Sequence, residues 1–122
     1  LKDLAYQAVE YASDLSSRAG MAAMQNLLKE NPPDAVFAVS DTLAAGALRA
    51  IQQAGLRVPE DIAVVGFDGT ELADMISLTT IEQPSRNIGR KAVDLLLNKI
   101  DNPDAPTERV MMDWRFISRA ST

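Results

Sequence analysis

Two aspartates fall where short apolar runs end. Asp41 follows Ala35–Val39 and Asp68 follows Ile62–Phe67. A carboxylate placed there can accept two hydrogen bonds from vicinal hydroxyls, and a pair of carboxylates can do acid–base work. Asp68 precedes Gly69, and no long helical pattern begins close behind it. Ligand contact therefore outweighs capping of the weak pattern at Thr70–Ile76. Asp41 lies in Ser-Asp-Thr just ahead of a strong helical pattern, so capping outweighs ligand contact there. Ser40 ends its run and suits a cap and a cleft-facing hydroxyl equally well. Gln83, between a strand-like run and Pro84, fits a turn or a polar contact where two lobes cross over. Trp114, between Asp113 and Arg115, fits packing at a sheet edge better than stacking on a ligand. Arg86, Arg90 and Lys91 fit a solvated helix face better than a phosphate site. The methionines fit core or interface filling.

The inventory excludes more than it supplies. The 122 residues contain no histidine and no cysteine, which removes the commonest general base, thiolate metal sites and disulfides. No nucleophile stands beside a base, no glycine-rich phosphate loop is present, and no cluster has metal-ligand spacing. An enzyme built on Asp41 and Asp68 is therefore the weakest reading, and neither cofactor nor metal is expected. A net charge of −5 and a pI near 4.6 argue against this chain itself gripping a phosphate backbone. No run approaches the roughly 20 apolar residues a membrane span needs. The start, Leu1-Lys2-Asp3, has neither an initiator methionine nor a signal-peptide pattern, so a piece of a longer protein is expected.

The elements that must position these residues centre on Pro33–Gly69. Ala35–Val39 is too short and too apolar for anything but a buried strand. Thr42–Ala54 places Leu43, Ala44, Ala47, Leu48 and Ile51 at helical spacing, with Gly55 as the terminating glycine. Ile62–Phe67 is a second strand. Strand, helix, strand at this length is a βαβ unit of a parallel sheet, whose ligands bind beyond the carboxyl ends of the strands. Both aspartates then sit on one functional edge. Upstream, Ala8–Tyr11 suggests a short strand, and Leu1–Gln7 a helix end or loop. Arg18–Glu30 is a helix with Ser16 or Ser17 as its cap, stopped by Asn31-Pro32-Pro33. Downstream, Leu78–Ile81 is a strand. Ser85 caps a helix running to about Ile100 with an apolar stripe of Ile88, Ala92, Val93, Leu96, Leu97 and Ile100. Arg109–Ser118 is a last, edge strand, and Arg119–Thr122 a polar tail.

Three stretches together resemble the LacI/GalR family of bacterial transcription regulators: Val39-Ser-Asp-Thr-Leu-Ala-Ala-Gly-Ala-Leu-Arg-Ala, Ala54-Gly-Leu-Arg-Val-Pro-Glu-Asp-Ile-Ala-Val-Val-Gly-Phe-Asp, and Leu78-Thr-Thr-Ile-Glu-Gln-Pro with Ile88-Gly-Arg and Leu95-Leu-Leu. The resemblance is to the C-terminal part of the effector-binding core. It implies an α/β, type I periplasmic-binding-protein-like fold, with a parallel sheet flanked by helices and the C-terminal lobe only partly present. Residues 1–82 and 108–119 would form that lobe, and the helix at 85–100 would pack on the N-terminal lobe. The headpiece, the N-terminal lobe and the first strand and helix of this lobe would precede Leu1. By resemblance, Asp68 matches a ligand-hydroxyl acceptor, Ser40 stands where an Asn often touches ligand, and Gln83 matches a crossover residue near the cleft. Leu15 occupies the place of an aromatic that faces ligand, and the link from Asp68 to Leu78 is shorter than is usual. The implied partners are a small-molecule effector, a sugar or sugar derivative, and DNA through the headpiece, in a cytoplasmic protein with no membrane partner. The exposed helix stripe implies a homodimer or a segment-exchanged oligomer. A sugar-binding protein of an ABC importer is the alternative.

Overall fold

The computed structural model describes residues 8–30 and 32–122. Its elements run α1 (Ser17–Glu30), β1 (Ala35–Phe37), α2 (Asp41–Gln53), β2 (Ala63–Asp68), α3 (Glu71–Met75), β3 (Thr79–Glu82), α4 (Ser85–Asp101) and β4 (Arg115–Ile117). The strands form one sheet in the order β1-β2-β3-β4. β1, β2 and β3 are mutually parallel, and β4 returns antiparallel at the edge, Ile81 opposite Phe116 and Glu82 opposite Arg115.

The core lies between one sheet face and α2. Val64 and Leu78 meet Ala44, Ala47, Ala50 and Ile51 of α2, with Met24 of α1 closing the cluster. A parallel strand of alternating small and β-branched residues suits this buried face. α1 lies on α2 at very short range. A Cβ on Gly46 would collide with the Ser17 carbonyl, and one on Gly20 with the Leu43 carbonyl. These two glycines let the helix backbones touch. α2 ends as its sequence predicts. Gly55 takes φ 77, its N–H donates to the Gln52 carbonyl, and the Leu56 N–H donates to that of Ile51. This doubly bonded reversal folds Leu56 back towards the core.

Among the described residues no helix covers the opposite sheet face. The register places Phe37, Val65, Phe67, Ile81 and Phe116 on it together. Phe37 and Phe67 meet edge to face with centroids 6.3 Å apart, yet Phe37 and Phe116 stay more than half exposed. α4 buries none of its residues, and its stripe of Ile88, Val93, Leu96, Leu97 and Ile100 faces solvent.

Several expected details are corrected. Ala8–Tyr11 is irregular rather than a strand, and Leu1–Gln7 lies outside the described residues. The edge strand shrinks from Arg109–Ser118 to Arg115–Ile117, since β3 offers it only a short partner. Trp114 is largely exposed instead of packed. Of the two serines offered as the cap of α1, Ser16 serves, its Oγ accepting from the Ala19 N–H at 3.1 Å. Ser85 lies inside α4, which starts after Pro84 with no side-chain cap. The polar tail is not a loose end. The Ser121 Oγ donates to the Val64 carbonyl at 2.6 Å and accepts from the Thr79 N–H at 2.8 Å, while its carbonyl accepts from the Val64 N–H. Ser121 thus occupies backbone groups at the start of β2 and β3 that would otherwise be buried without partners.

Candidate functional site

Asp68 is the last residue of β2, and its backbone is unusual. Its φ is 118, a region that side chains rarely adopt, and Gly69 follows at φ 73. The chain must turn sharply here because Thr70 starts α3. The Gln83 Nε2 donates to Asp68 Oδ1 at 2.9 Å, and the Gln83 N–H donates to the Asp68 carbonyl at 3.2 Å. One carboxylate oxygen is thereby oriented. Burial pushes the Asp68 carboxyl above the ordinary carboxylate range, the Gln83 hydrogen bond opposes this, and the Asp41 charge adds to it.

Around the pair lies an open-sided concavity of about 600 Å³, lined by Asp68, Gly69, Thr70, Glu82, Gln83 and Pro84, with Ser85, Arg86 and Asn87 on the rim of α4. Polar donors and acceptors converge there at the carboxyl ends of β2 and β3, where open parallel sheets place their ligands. Among the described residues no group of three or more carboxylate, imidazole or thiol side chains could hold a metal ion.

The structure brings Asp68 and Gln83 together. The other expected site residues are placed differently. Ser40 is the true N-cap of α2, its Oγ accepting from the Leu43 N–H at 3.2 Å. Asp41 is the first residue of α2, not its cap, and is fully buried. Asp41 Oδ2 accepts from the Thr70 N–H at 2.7 Å and from the Thr70 hydroxyl at 2.8 Å, and its Oδ1 accepts from the Thr80 hydroxyl at 2.6 Å. Of the expected pair of carboxylates, then, only Asp68 opens onto the concavity. Asp68 does not cap α3 either, since Thr70 holds that position. Leu15 is exposed ahead of α1 and does not line the concavity.

Glu82, Thr70 and Asn87 also line the concavity and were not read as site residues. Glu82 sits on the strand end beside Gln83 and pairs with Arg115 across the β3–β4 register. Its position just before Gln83-Pro84 was the available signal. Arg86, for which a solvated helix face was favoured over a phosphate site, lines the concavity because α4 starts close behind β3.

With this geometry in place, the kinship of the chain is clear. The family described as "Periplasmic binding protein-like domain" matches residues 2–122, and the chain belongs to it. Within that class its relatives are LacI-type regulators, as the motifs implied. It is 40% identical over 112 residues to the ribose operon repressor of Haemophilus influenzae, covering 89% of this chain and 34% of that protein. It is 43% identical over 112 residues to the transcriptional repressor CytR of Escherichia coli, covering 89% and 33%. A LacI family transcriptional regulator from Enterococcus faecium with bound ribose superposes with a TM-score of 0.76 at 35% identity, over 88% of this chain and 40% of that one. The lac repressor dimer bound to operator and the anti-inducer ONPF superposes at 0.79 with 37% identity, over 89% and 39%. The chain thus spans about a third of the length of the curated relatives it matches.

Proposed function

We propose that this chain is the effector-sensing part of a LacI-type DNA-binding transcription regulator, taking up a sugar or similar polyhydroxylated metabolite at Asp68 and Gln83. The observation that carries the reading is Asp68 itself. Its carboxylate is held at the carboxyl end of a parallel strand, in a costly backbone conformation, oriented by Gln83 and open to a concavity. Strain kept at such a place marks function rather than folding. Vicinal hydroxyls would each donate to one carboxylate oxygen. Ser40, Asp41 and Leu15 act at most around this pair. The reading needs no catalytic step and no cofactor. A ligand that favours one arrangement of the lobes would shift affinity for operator DNA, which a separate headpiece contacts in a cytoplasmic protein.

The regulator reading is preferred to an importer's binding protein because the relatives are repressors by name. The sequence upstream of Leu1 decides between them. A helix-turn-helix ahead of the sensing core supports the regulator, and a signal peptide followed directly by the first lobe overturns it.

The bare faces support the partners. α4 buries none of its residues, and Phe37 and Phe116 of the sheet are more than half exposed. We assign α4 to packing on an N-terminal lobe, and the uncovered sheet face to the rest of a longer chain or a second copy. As a separate 122-residue chain it should associate or exchange segments, and a monodisperse monomer by light scattering would refute this.

Calorimetric titration with ribose, lactose and cellobiose tests the site. Binding of at least one, lost in Asp68→Asn, is expected. Undiminished binding by that variant would overturn the assignment.

A further inference from the structure

We infer that Asp41 is a positioning residue: from beneath the turn between β2 and α3 it holds Thr70, and so keeps Asp68 in the backbone conformation that presents its carboxylate. The inference rests on the reading of Asp68 as a ligand acceptor.

The turn is pinned at both ends. On one side, the β2–β3 register sets Asp68 opposite Glu82, and the Gln83 N–H donates to the Asp68 carbonyl. On the other, Asp41 takes both the N–H and the hydroxyl of Thr70 on a single oxygen, Oδ2. Between the two pins lie the two positive-φ residues, Asp68 and Gly69. Released from Asp41, Thr70 could swing outward and Asp68 could relax to an ordinary extended φ, turning its carboxylate away from Gln83.

Asp41 is itself held firmly enough to serve as the anchor. Its other oxygen, Oδ1, takes the Thr80 hydroxyl of β3 at 2.6 Å, so a single buried carboxylate ties α2, the turn and β3 together. Among the described residues no cation pairs with it. Three short hydrogen bonds and the N-terminus of α2 stabilise its charge instead. Space for it comes from Gly66. A Cβ there would lie 2.5 Å from Asp41 Oδ1 and 2.7 Å from the Leu78 Cδ2. A glycine inside a core strand otherwise weakens the strand, and here it admits the anchor.

The test uses Asp41→Ala and, because that variant could fail to fold, Thr70→Val, which removes one bond and leaves the anchor in place. Two readouts are taken on the full chain. The first needs no ligand: backbone chemical shifts of Asp68 and Gly69, and hydrogen exchange at the Thr70 amide. Both variants should move the Asp68 shifts towards extended values, and Asp41→Ala should lose the protection of the Thr70 amide. Unchanged Asp68 shifts in a folded variant overturn the inference. The second is affinity for ribose, lactose and cellobiose. Thr70→Val should weaken binding roughly tenfold, and Thr70→Ser, which keeps a hydroxyl for Asp41, should restore it. Unweakened binding by a folded Thr70→Val overturns the inference. Absence of binding by the unmutated chain counts against the ligand reading alone, and the shifts still decide the role of Asp41.

Discussion

Replacing Asp68 by glycine separates what the fold needs from what the site needs. At φ 118 a residue with a side chain carries strain of about 1–3 kcal/mol. Glycine removes the strain but orders a freer unfolded chain at about 0.5–1 kcal/mol. It also gives up the Gln83 hydrogen bond at 2.9 Å, about 0.5–1.5 kcal/mol net. These contributions nearly cancel, and removing a partly desolvated carboxylate adds to the favourable side. Asp68→Gly should therefore melt at the wild-type temperature or a few degrees above it. Asp68→Ala loses the same hydrogen bond but keeps the strain, so it should lie about 1–2 kcal/mol below the glycine variant, roughly 4–8 °C for a domain of this size. Ionisation is harder in the folded state, since burial raises the Asp68 carboxyl. Its penalty is absent below the carboxylate range and grows as pH rises through the raised value, so the advantage of glycine over wild type should be larger at pH 7 than at pH 3. Both variants should lose sugar binding. Differential scanning calorimetry at the two pH values is the assay. Equal destabilisation by glycine and alanine would refute strain at Asp68, and with it the inference from strain to function.

Other outcomes follow from the same structure. Gly46→Ala should destabilise by about 2–4 kcal/mol in urea unfolding, because its Cβ would strike the backbone of α1 rather than a movable side chain. Ser121→Ala should cost about 1–3 kcal/mol in the same assay, since it leaves the Thr79 N–H without its buried partner. The Arg57 side chain and N–H hold the Asp61 carboxyl down to about 2, so its contribution is present above the ordinary carboxylate value and is lost as pH falls from about 4 through 2. Carbon-detected NMR titration should show that low value in wild type and a higher one in Arg57→Ala, still below the ordinary carboxylate value because the backbone N–H of residue 57 remains.

What the sequence disclosed was local. The spacing of Leu43, Ala44, Ala47 and Ile51 placed α2, Gly55 ended it, and the run before Asp68 placed β2 to within a residue. Asp68 and Gln83 could be read as candidates because each sits beside its own strand end, and the structure places both on the concavity. Asp41 was misread as a cap because its partners, Thr70 and Thr80, lie 29 and 39 residues away, and pattern reading sees only neighbours. Ser121 was hidden in the same way, stitched to Val64 over 57 residues. The uncovered sheet face was equally invisible. Phe37, Val65, Phe67, Ile81 and Phe116 fall in four separate runs read as strands, and only the register shows that they share a face, one that no helix among the described residues covers.

The central claim is that Asp68 accepts the hydroxyls of a bound sugar. A crystal structure of the protein with ribose tests it most directly. The account predicts two adjacent hydroxyl oxygens within about 2.5–3.0 Å of the Asp68 carboxylate, the Gln83 amide still on the carboxylate, and φ of Asp68 unchanged. Ribose seated elsewhere, or seated there with Asp68 turned away, would contradict it.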